Sequence, residues 1–212
     1  MFELEIKIKL DNVKETKQKL QEMGAEPLCL INHTDSYYNA PKGLRNFKET
    51  DEALRLRTSI VKDFTSKKTI TKEHDLTYKG PKIDDVVKSR IEHVAKILDV
   101  DKMDEILQAL GFIKLISLEK ERRAYSLPFQ EKKIEILVDK VQYLDGYYLE
   151  AELMAEEKSE MEKIRPILLD FLTKLGYSED DPILESYLEL VFNVLSSRKK
   201  RKIKKKRHKE TD

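Results

Sequence analysis

Two pairs of glutamates are spaced so that both members of a pair lie on the same face of a strand. Glu3 and Glu5 alternate with apolar residues near the start of the chain, and Glu150 and Glu152 do so later. Successive side chains of a β-strand leave opposite faces, so the alternation places each pair on one face. Adjacent carboxylates repel one another unless a cation separates them. Because carboxylate oxygens suit Mg²⁺ and Mn²⁺, these four residues are candidate metal ligands.

Basic residues repeat this alternation in other segments of the chain. They are Lys7, Arg55, Arg57, Lys79, Arg90, Lys120 and Arg122, and Glu92 and Asp139 lie on the same charged faces. Arginine forks match phosphate oxygens bidentately and lysines add point charges, so this set suits a polyanion. A metal ion and several cations around one ligand are what phosphoryl or nucleotidyl transfer requires. The same charges are also compatible with solvated outer strand faces and with internal ion pairing in the absence of a ligand.

Alternation of apolar and polar residues predicts eight strands. They cover residues 1–10, 28–39, 53–59, 75–79, 86–94, 112–127, 132–141 and 147–153. Amphipathic helices are predicted at residues 12–23, 159–175 and 182–195, and another is predicted to begin at Asp99 or Asp101 and to end before Gly111. The polar residues 60–73 are expected to form a long hairpin connection, and Ser159 with Glu162 is expected to cap the third helix.

The predicted helices need apolar surface to pack on, and the apolar strand faces are the surface available. The charged strand faces must then face one another. We therefore predict an α+β fold, an antiparallel eight-stranded β-barrel with the amphipathic helices packed outside. A barrel of about eight strands has room for one small ligand. Its lumen must hold water, ions and a highly charged ligand, because unpaired charges are costly to desolvate.

Charge is distributed unevenly along the 212 residues. Residues 198–212 carry ten Lys/Arg and two Asp/Glu, which leaves residues 1–197 with 31 basic and 38 acidic residues and a net charge of −7. We expect one domain at residues 1–195 and a basic, disordered tail at residues 196–212. Segment 198–209 of this tail could contact nucleic acid or another polyanion weakly, without reading its sequence.

Several classes of protein and site are excluded or disfavoured by composition. A single cysteine, Cys29, excludes an intramolecular disulfide and a multi-cysteine metal site. All six glycines fall at the ends of predicted elements, which excludes P-loop and Rossmann sites. Since there is no secretory signal layout and no apolar run of about 20 residues, we expect a cytoplasmic protein without membrane contact. The histidines show no ligand spacing and are given no role: His33, His74, His93 and His208.

The N-terminal Glu3-x-Glu5-x-Lys7 resembles the signature of the CYTH superfamily, the triphosphate tunnel metalloenzymes. The resemblance continues in order to about residue 195, through Asp35-x-Tyr37-Tyr38, Ala53-Leu-Arg-Leu-Arg57, Leu76-Thr-Tyr-Lys79-Gly80, Arg90-x-Glu92, Lys120-x-Arg122, Asp139, Tyr148-Leu-Glu150-Ala-Glu152 and Ser186-Tyr187-Leu-Glu189-Leu190. It is greatest for the class IV adenylyl cyclase-like branch. The sequence departs from many members at Asp145-Gly146, which we interpret as a variant turn.

The resemblance implies a role for each residue of the charged set. The expected ligands of Mg²⁺ or Mn²⁺ are Glu3, Glu5, Asp139, Glu150 and Glu152. The expected triphosphate-binding residues are Lys7, Arg55, Arg57, Lys79 and Arg90. Lys120 and Arg122 are expected to be catalytic and to face the bond that breaks. Glu92 is either a further metal ligand or an ion-pair partner within the lumen.

The implied function is that of a metal-dependent, class IV adenylyl cyclase-like lyase that converts ATP to cyclic AMP and pyrophosphate. An inorganic tripolyphosphatase, or a thiamine or nucleoside triphosphate hydrolase, would use the same residues. A non-catalytic polyanion-binding module is a third alternative, and a homodimer is compatible with all three. Tyr38, Tyr147 and Tyr148 could line a nucleoside site, although aromatic residues on strands more often belong to a core.

Overall fold

The computed structural model describes residues 2–81 and 90–209, with side chains for residues 4–81, 90–157 and 160–199. Its elements are β1 (Phe2–Leu10), α1 (Val13–Glu22), β2 (Glu26–Asn39), β3 (Ala53–Asp63), β4 (Thr69–Lys79), β5 (Glu92–Ile97), α2 (Val100–Ala109), β6 (Ile113–Phe129), β7 (Lys132–Val141), β8 (Tyr147–Ala155), α3 (Lys158–Leu175) and α4 (Tyr187–Lys209). No helix in this described part of the chain is both long and apolar enough to cross a membrane.

The eight described strands form one antiparallel sheet, in the order β1-β8-β7-β6-β2-β3-β4-β5. The sheet curls strongly, because Glu5 on β1 and Lys79 on β4 line the same cavity although five strands lie between them in the sheet order. This confirms the predicted α+β fold with eight antiparallel strands. In the described residues, the order begins at β1 and ends at β5, which are therefore the two edges of the sheet.

Of the four helices in the described residues, α1, α2 and α3 lie on the apolar face of the sheet, as alternation predicts. The side chains of Ile6 and Ile8 on β1 pack in one cluster with Leu20 of α1 and with Leu168 and Phe171 of α3. A second cluster joins α2 to β2 and β3, and its buried members include Tyr38, Leu54, Leu56 and Leu107. The charged side chains of these strands are left on the opposite, concave face.

Helix α4 differs, because it packs on the concave face that also carries the charged residues. Its buried Val191 lies in a cluster with Leu118, Val141 and Tyr148. Each of these three strand residues is two positions from a charged residue of the concave face: Lys120, Asp139 and Glu150. One end of the concave face is thus apolar, and a helix can cover it without desolvating charge. The expectation that all helices lie outside the sheet is corrected for α4.

The bounds of several elements differ from those predicted. Strands β3 and β4 are longer than predicted, so the connection expected at residues 60–73 is only a turn at residues 64–68. In this turn the Asp63 carboxylate accepts hydrogen bonds from the amides of Thr65 and Ser66. Glu157, not Ser159, is the N-cap of α3. Part of the strand predicted at 86–94 lies outside the described residues, and β5 is Glu92–Ile97.

Helix α4 begins later and ends later than predicted. Ser186 precedes its first turn, and the Glu189 carboxylate accepts a 2.6 Å hydrogen bond from the Ser186 amide, as in a capping box. The helix then continues to Lys209, whereas residues 196–212 were expected to be disordered. Lysine and arginine have high helix propensity, so a helix started by the packed residues 187–195 can extend through the basic run.

Candidate active site

The concave face of the sheet and the start of α4 enclose a cavity of about 420 Å³. The predicted site residues that line it are Glu5, Lys7, Arg55, Arg57, Lys79, Arg90, Glu92, Lys120, Arg122, Glu150 and Glu152. The structure therefore brings together all seven predicted basic residues and three of the five predicted metal ligands. Of the other two, the Glu3 side chain lies outside the described part of the chain, and Asp139 is buried behind the cavity wall.

Three carboxylates converge in the cavity, those of Glu5, Glu150 and Glu152. One oxygen from each lies within 4.8 Å of the others. The cause is the antiparallel register of β1 and β8, which sets Glu5 opposite Glu152 and Lys7 opposite Glu150. Three convergent carboxylate oxygens are a donor set that fits a hard divalent cation such as Mg²⁺ or Mn²⁺.

The Lys7 ammonium lies among these carboxylates. Its Nζ is 2.9 Å from Glu150 Oε1 and 3.2 Å from Glu5 Oε1, and it stands 4.2 Å from the centroid of the Tyr187 ring. The side chain is almost fully buried. Lys7 therefore offsets part of the repulsion within the carboxylate cluster and ties that cluster to α4.

Asp139 holds the two expected catalytic residues in place. Its carboxylate accepts two hydrogen bonds from Arg122, at 2.8 and 2.7 Å, and one of 2.9 Å from the Tyr187 hydroxyl. Lys120 Nζ lies 3.5 Å from the same carboxylate. Asp139 is fully buried and lies outside the group of Glu5, Glu150 and Glu152. The geometry shows Asp139 engaged by Arg122 and Tyr187, and its role as a metal ligand stays a prediction.

The environment of Arg122 and Lys120 shifts their pKa values in opposite directions. Burial would lower the pKa of Arg122, but Asp139 and Glu150, both in contact with the guanidinium, raise it well above its usual value. For Lys120, burial and the nearby Arg122 lower the pKa to about 8, although Asp139 and Glu150 oppose them. A lysine in this state can hold or release a proton near neutral pH.

Arg57 and Arg55 form the next part of the cavity wall. Asp35 accepts two hydrogen bonds from Arg57, at 2.6 and 2.7 Å, across the β2–β3 pair. Arg55 donates to Thr77 Oγ1 at 3.2 Å, and its buried Nε has no hydrogen-bond partner among the described residues. An unsatisfied buried guanidinium donor at a cavity wall is a group that a ligand oxygen would satisfy.

The remaining basic residues are held by their own partners. Lys79 Nζ lies 2.5 Å from Glu92 Oε1, which favours the ion-pair alternative for Glu92. Arg90 donates to the Asp51 carbonyl at 2.9 Å and to its carboxylate at 3.0 Å. Lys79 and Arg90 nevertheless both line the cavity.

Sequence reasoning missed Asp35 and Tyr187 as parts of the site. Both lay in motifs that resemble the superfamily, but no spacing signalled that Asp35 would pair with Arg57 or that Tyr187 would face the cavity. Burial raises the pKa of the Tyr187 hydroxyl well above its usual value, and Glu150 and Asp139 add to the effect. The hydroxyl therefore stays protonated and donates to Asp139.

Of the aromatic residues considered for a nucleoside site, only Tyr38 lines the cavity, and its hydroxyl donates to Asp104 of α2 at 2.6 Å. Tyr147 packs against the outer cluster, and Tyr148 packs edge-on against Tyr187. His33, which was given no role, is buried on the concave face. Its Nδ1 lies 3.1 Å from Ser59 Oγ.

Comparison with known proteins agrees with this arrangement. The CYTH domain matches residues 1–187, and the chain belongs to the CYTH family. A protein of Methanocaldococcus jannaschii named "Putative adenylate cyclase" is 35% identical over 190 residues, covering 90% of this chain and 98% of that protein. The match confirms the family resemblance of the sequence.

Solved structures show the same fold. A protein of Pyrococcus horikoshii is 34% identical, with a TM-score of 0.77 over 90% of this chain and 98% of that one. A Hippeastrum protein described as a "putative adenylyl cyclase" with a dominant triphosphatase activity is 17% identical, with a TM-score of 0.62 over 90% of this chain and 95% of that one.

Replacing Asp35 by Asn should make the free energy of unfolding depend less on pH in the acidic range. Burial alone would raise the pKa of Asp35, but the Arg57 guanidinium holds it well below its usual range. A depressed pKa contributes stability above the unfolded-state pKa of about 3.9 and loses it as the pH falls further. The stability difference between wild type and Asp35→Asn should therefore narrow below about pH 4, by up to about 1.4 kcal/mol per pH unit.

Denaturant unfolding from pH 2.5 to 6, a range that brackets the unfolded-state pKa of about 3.9, measures this difference. Asp145→Asn, at an exposed carboxylate, is the control. A difference between wild type and Asp35→Asn that stays constant over this pH range would show that the Asp35–Arg57 pair is not the source of the effect.

Replacing Glu152 by Ala should weaken divalent metal binding. The variant loses one of the three convergent carboxylates, so the affinity for Mn²⁺ measured by calorimetry should fall about tenfold or more, which is about 1.4 kcal/mol. Glu121→Ala removes an exposed carboxylate of β6 and is the matched control. Equal Mn²⁺ affinity in the two variants would contradict the metal site.

Proposed function

We propose that the protein is a metal-dependent enzyme that binds ATP in this cavity and converts it to cyclic AMP and pyrophosphate. The observation that carries the proposal is the meeting of three convergent carboxylates with seven lysines and arginines in one cavity. Metal and cations around one ligand suit a triphosphate, whose transfer chemistry depends on positioning and charge neutralisation.

Glu5, Glu150 and Glu152 would hold the metal, and Glu3 is a further candidate because the alternation of the sequence pairs it with Glu5. When bound, Mg²⁺ or Mn²⁺ would neutralise phosphate charge and lower the pKa of the attacking oxygen. The carboxylates are already near Lys7 and Arg122, so the metal would be flanked by fixed positive charge.

Arg55, Arg57, Lys79 and Arg90 would bind the phosphate oxygens away from the carboxylates. The Nε of Arg55, which has no hydrogen-bond partner in the part of the chain that the structure describes, supports this assignment most directly. Arg122 lies against Glu150, so it would stabilise charge at the phosphorus nearest the metal. Asp139 keeps Arg122 and Lys120 fixed while they act.

Lys120 is the group that we propose accepts the proton. In cyclisation, the ribose 3′-oxygen bonds to the α-phosphorus, the bond to the bridging oxygen breaks, and pyrophosphate leaves with that electron pair. The 3′-hydroxyl proton must pass to a base. A lysine with a pKa of about 8 is partly neutral at physiological pH and can take it.

An apolar part of the lining favours a nucleotide over inorganic triphosphate. Phe47, Leu115 and Phe192 line the cavity together with the charged residues. A base has apolar faces that such side chains can cover, whereas tripolyphosphate has none.

Triphosphate hydrolysis is a second candidate, in which Lys120 would take the proton of a water that attacks the γ-phosphorus. The activity described for the Hippeastrum protein favours it, because that protein has the same fold. The two reactions share the metal and the cations and differ in the nucleophile.

Product analysis separates the two candidates. The purified protein is incubated with ATP and with tripolyphosphate, each with Mg²⁺ or Mn²⁺. We expect cyclic AMP and pyrophosphate from ATP, in equal amounts, and no turnover of tripolyphosphate. Orthophosphate from both substrates, without cyclic AMP, would overturn the cyclase assignment in favour of hydrolysis.

The pH dependence of turnover tests Lys120. A base with a pKa of about 8 is active when neutral, so kcat should rise as the pH increases through about 8. Lys120→Arg keeps the charge but cannot be deprotonated in this range, so it should lower kcat about a hundredfold and abolish the rise. Lys140→Arg, at an exposed position on β7, is the control. A rise that survives in Lys120→Arg would assign the proton transfer to another group.

A further inference from the structure

The basic end of α4 has no part in the chemistry proposed above. The packed part of this helix ends at Leu195, and residues 196–199 are exposed. The helical backbone nevertheless continues to Lys209. At about 1.5 Å per residue, the 14 residues beyond Leu195 extend for about 21 Å. This segment also lies beyond the part of the chain that matches the CYTH domain.

The segment carries an unusually dense row of positive charge. Nine of the ten residues from Arg198 to Arg207 are lysine or arginine, and only Ile203 interrupts them. In a helix these nine charges occupy about 15 Å of axis, or about one per 1.7 Å. Duplex DNA carries one phosphate charge per about 1.7 Å of its own axis. The two charge densities match.

We propose that residues 198–209 of α4 bind duplex DNA through its phosphates, without reading its sequence. Successive residues of a helix are 100° apart, so the nine basic positions of the sequence are distributed around the whole helical backbone. The major groove of B-DNA, about 12 Å wide, admits an α-helix and has phosphates on both sides. A helix with basic positions around its whole circumference is suited to that groove.

Other polyanionic partners fit less well. Membrane-surface helices need an apolar face, and this segment offers only Ile203. Single-stranded nucleic acids are bound largely by aromatic stacking, and the segment contains no Phe, Tyr or Trp. The deep, narrow major groove of duplex RNA does not admit a helix.

The rest of the chain is not expected to bind DNA, because its net charge is negative. Residues 1–197 have a net charge of −7, so phosphates repel the body and attract only the end of α4. This inference does not rest on the proposed catalytic function, because the segment does not contribute to the cavity lining among the residues that the structure describes.

The test measures DNA binding by full-length variants with five lysines replaced. The first carries Lys→Gln substitutions at positions 199, 202, 204, 205 and 206, since glutamine preserves helix propensity. The matched control carries the same change at five exposed lysines of the body: Lys14, Lys42, Lys72, Lys133 and Lys140. Both have the same net charge, and unchanged melting temperatures show that both are folded.

Binding is measured with a random-sequence DNA duplex that has 5′-hydroxyl ends, so that the triphosphate cavity is not engaged. The wild type and the control should bind alike. The tail variant should bind about tenfold or more weakly in 0.1 M salt, and its plot of log affinity against log salt should flatten by about 0.9 for each lost phosphate contact. Glu152→Ala should bind DNA like wild type.

Two results would overturn the proposal. One is equal DNA binding by the tail variant and the control. The other is binding of single-stranded DNA, duplex RNA or phosphatidylserine vesicles as tightly as duplex DNA, which would give the segment a different partner.

Discussion

The structure depends on the cost of removing charge from water. One curved sheet carries more than ten ionisable side chains on its concave face, and most of them are at least half buried. Each must therefore meet a partner within the fold, or the free energy of unfolding falls. The Arg122–Asp139 and Arg57–Asp35 pairs offset the cost of burial with two hydrogen bonds each. Lys7 offsets it by lying between two glutamates. The same pairs fix the positions of the groups that would meet a phosphate.

The carboxylates of the site consequently fall into two groups. Some carboxylates, such as Asp139 and Asp35, are fully engaged by arginine and hold cations in place. The others, Glu5, Glu150 and Glu152, converge on one point, where a bound cation would offset their mutual repulsion. Strand pairing decides which carboxylate does which, because Asp139 lies opposite Arg122 on β6, whereas Glu152 lies opposite Glu5 on β1.

This explains how much the sequence could predict. Alternation has a period of two, so it assigns the face of Glu5, Arg57 or Lys120 correctly without knowing any neighbour. Alternation cannot assign partners, which depend on the register between strands distant in sequence. Asp139 was therefore grouped with the glutamates although it pairs with Arg122. Asp35 was missed as a site residue for the same reason, whereas Tyr187 was missed because it lies on α4, whose packing on the concave face was not predicted.

Helix packing shows a second limit. The apolar stripe of α4 resembles that of any amphipathic helix, and nothing in it tells the inner face of the sheet from the outer one. The choice is made by Leu118, Val141 and Tyr148, three apolar residues at charged-face positions of three strands. The end of α4 was also mispredicted, since a run of lysines and arginines is compatible with helix and with disorder.

Helix α4 extends from the cavity to well beyond the packed part of the protein. Tyr187 and Leu188 line the cavity, Leu195 is the last packed residue, and the helix continues to Lys209. An α-helix is stiff over this length, so a tilt of about 10° at the packed end would move Lys209 by about 4 Å. The hydrogen bond from Tyr187 to Asp139 holds the first residue of this helix against the cavity wall. The basic run and a residue of the site thus belong to one continuous helix.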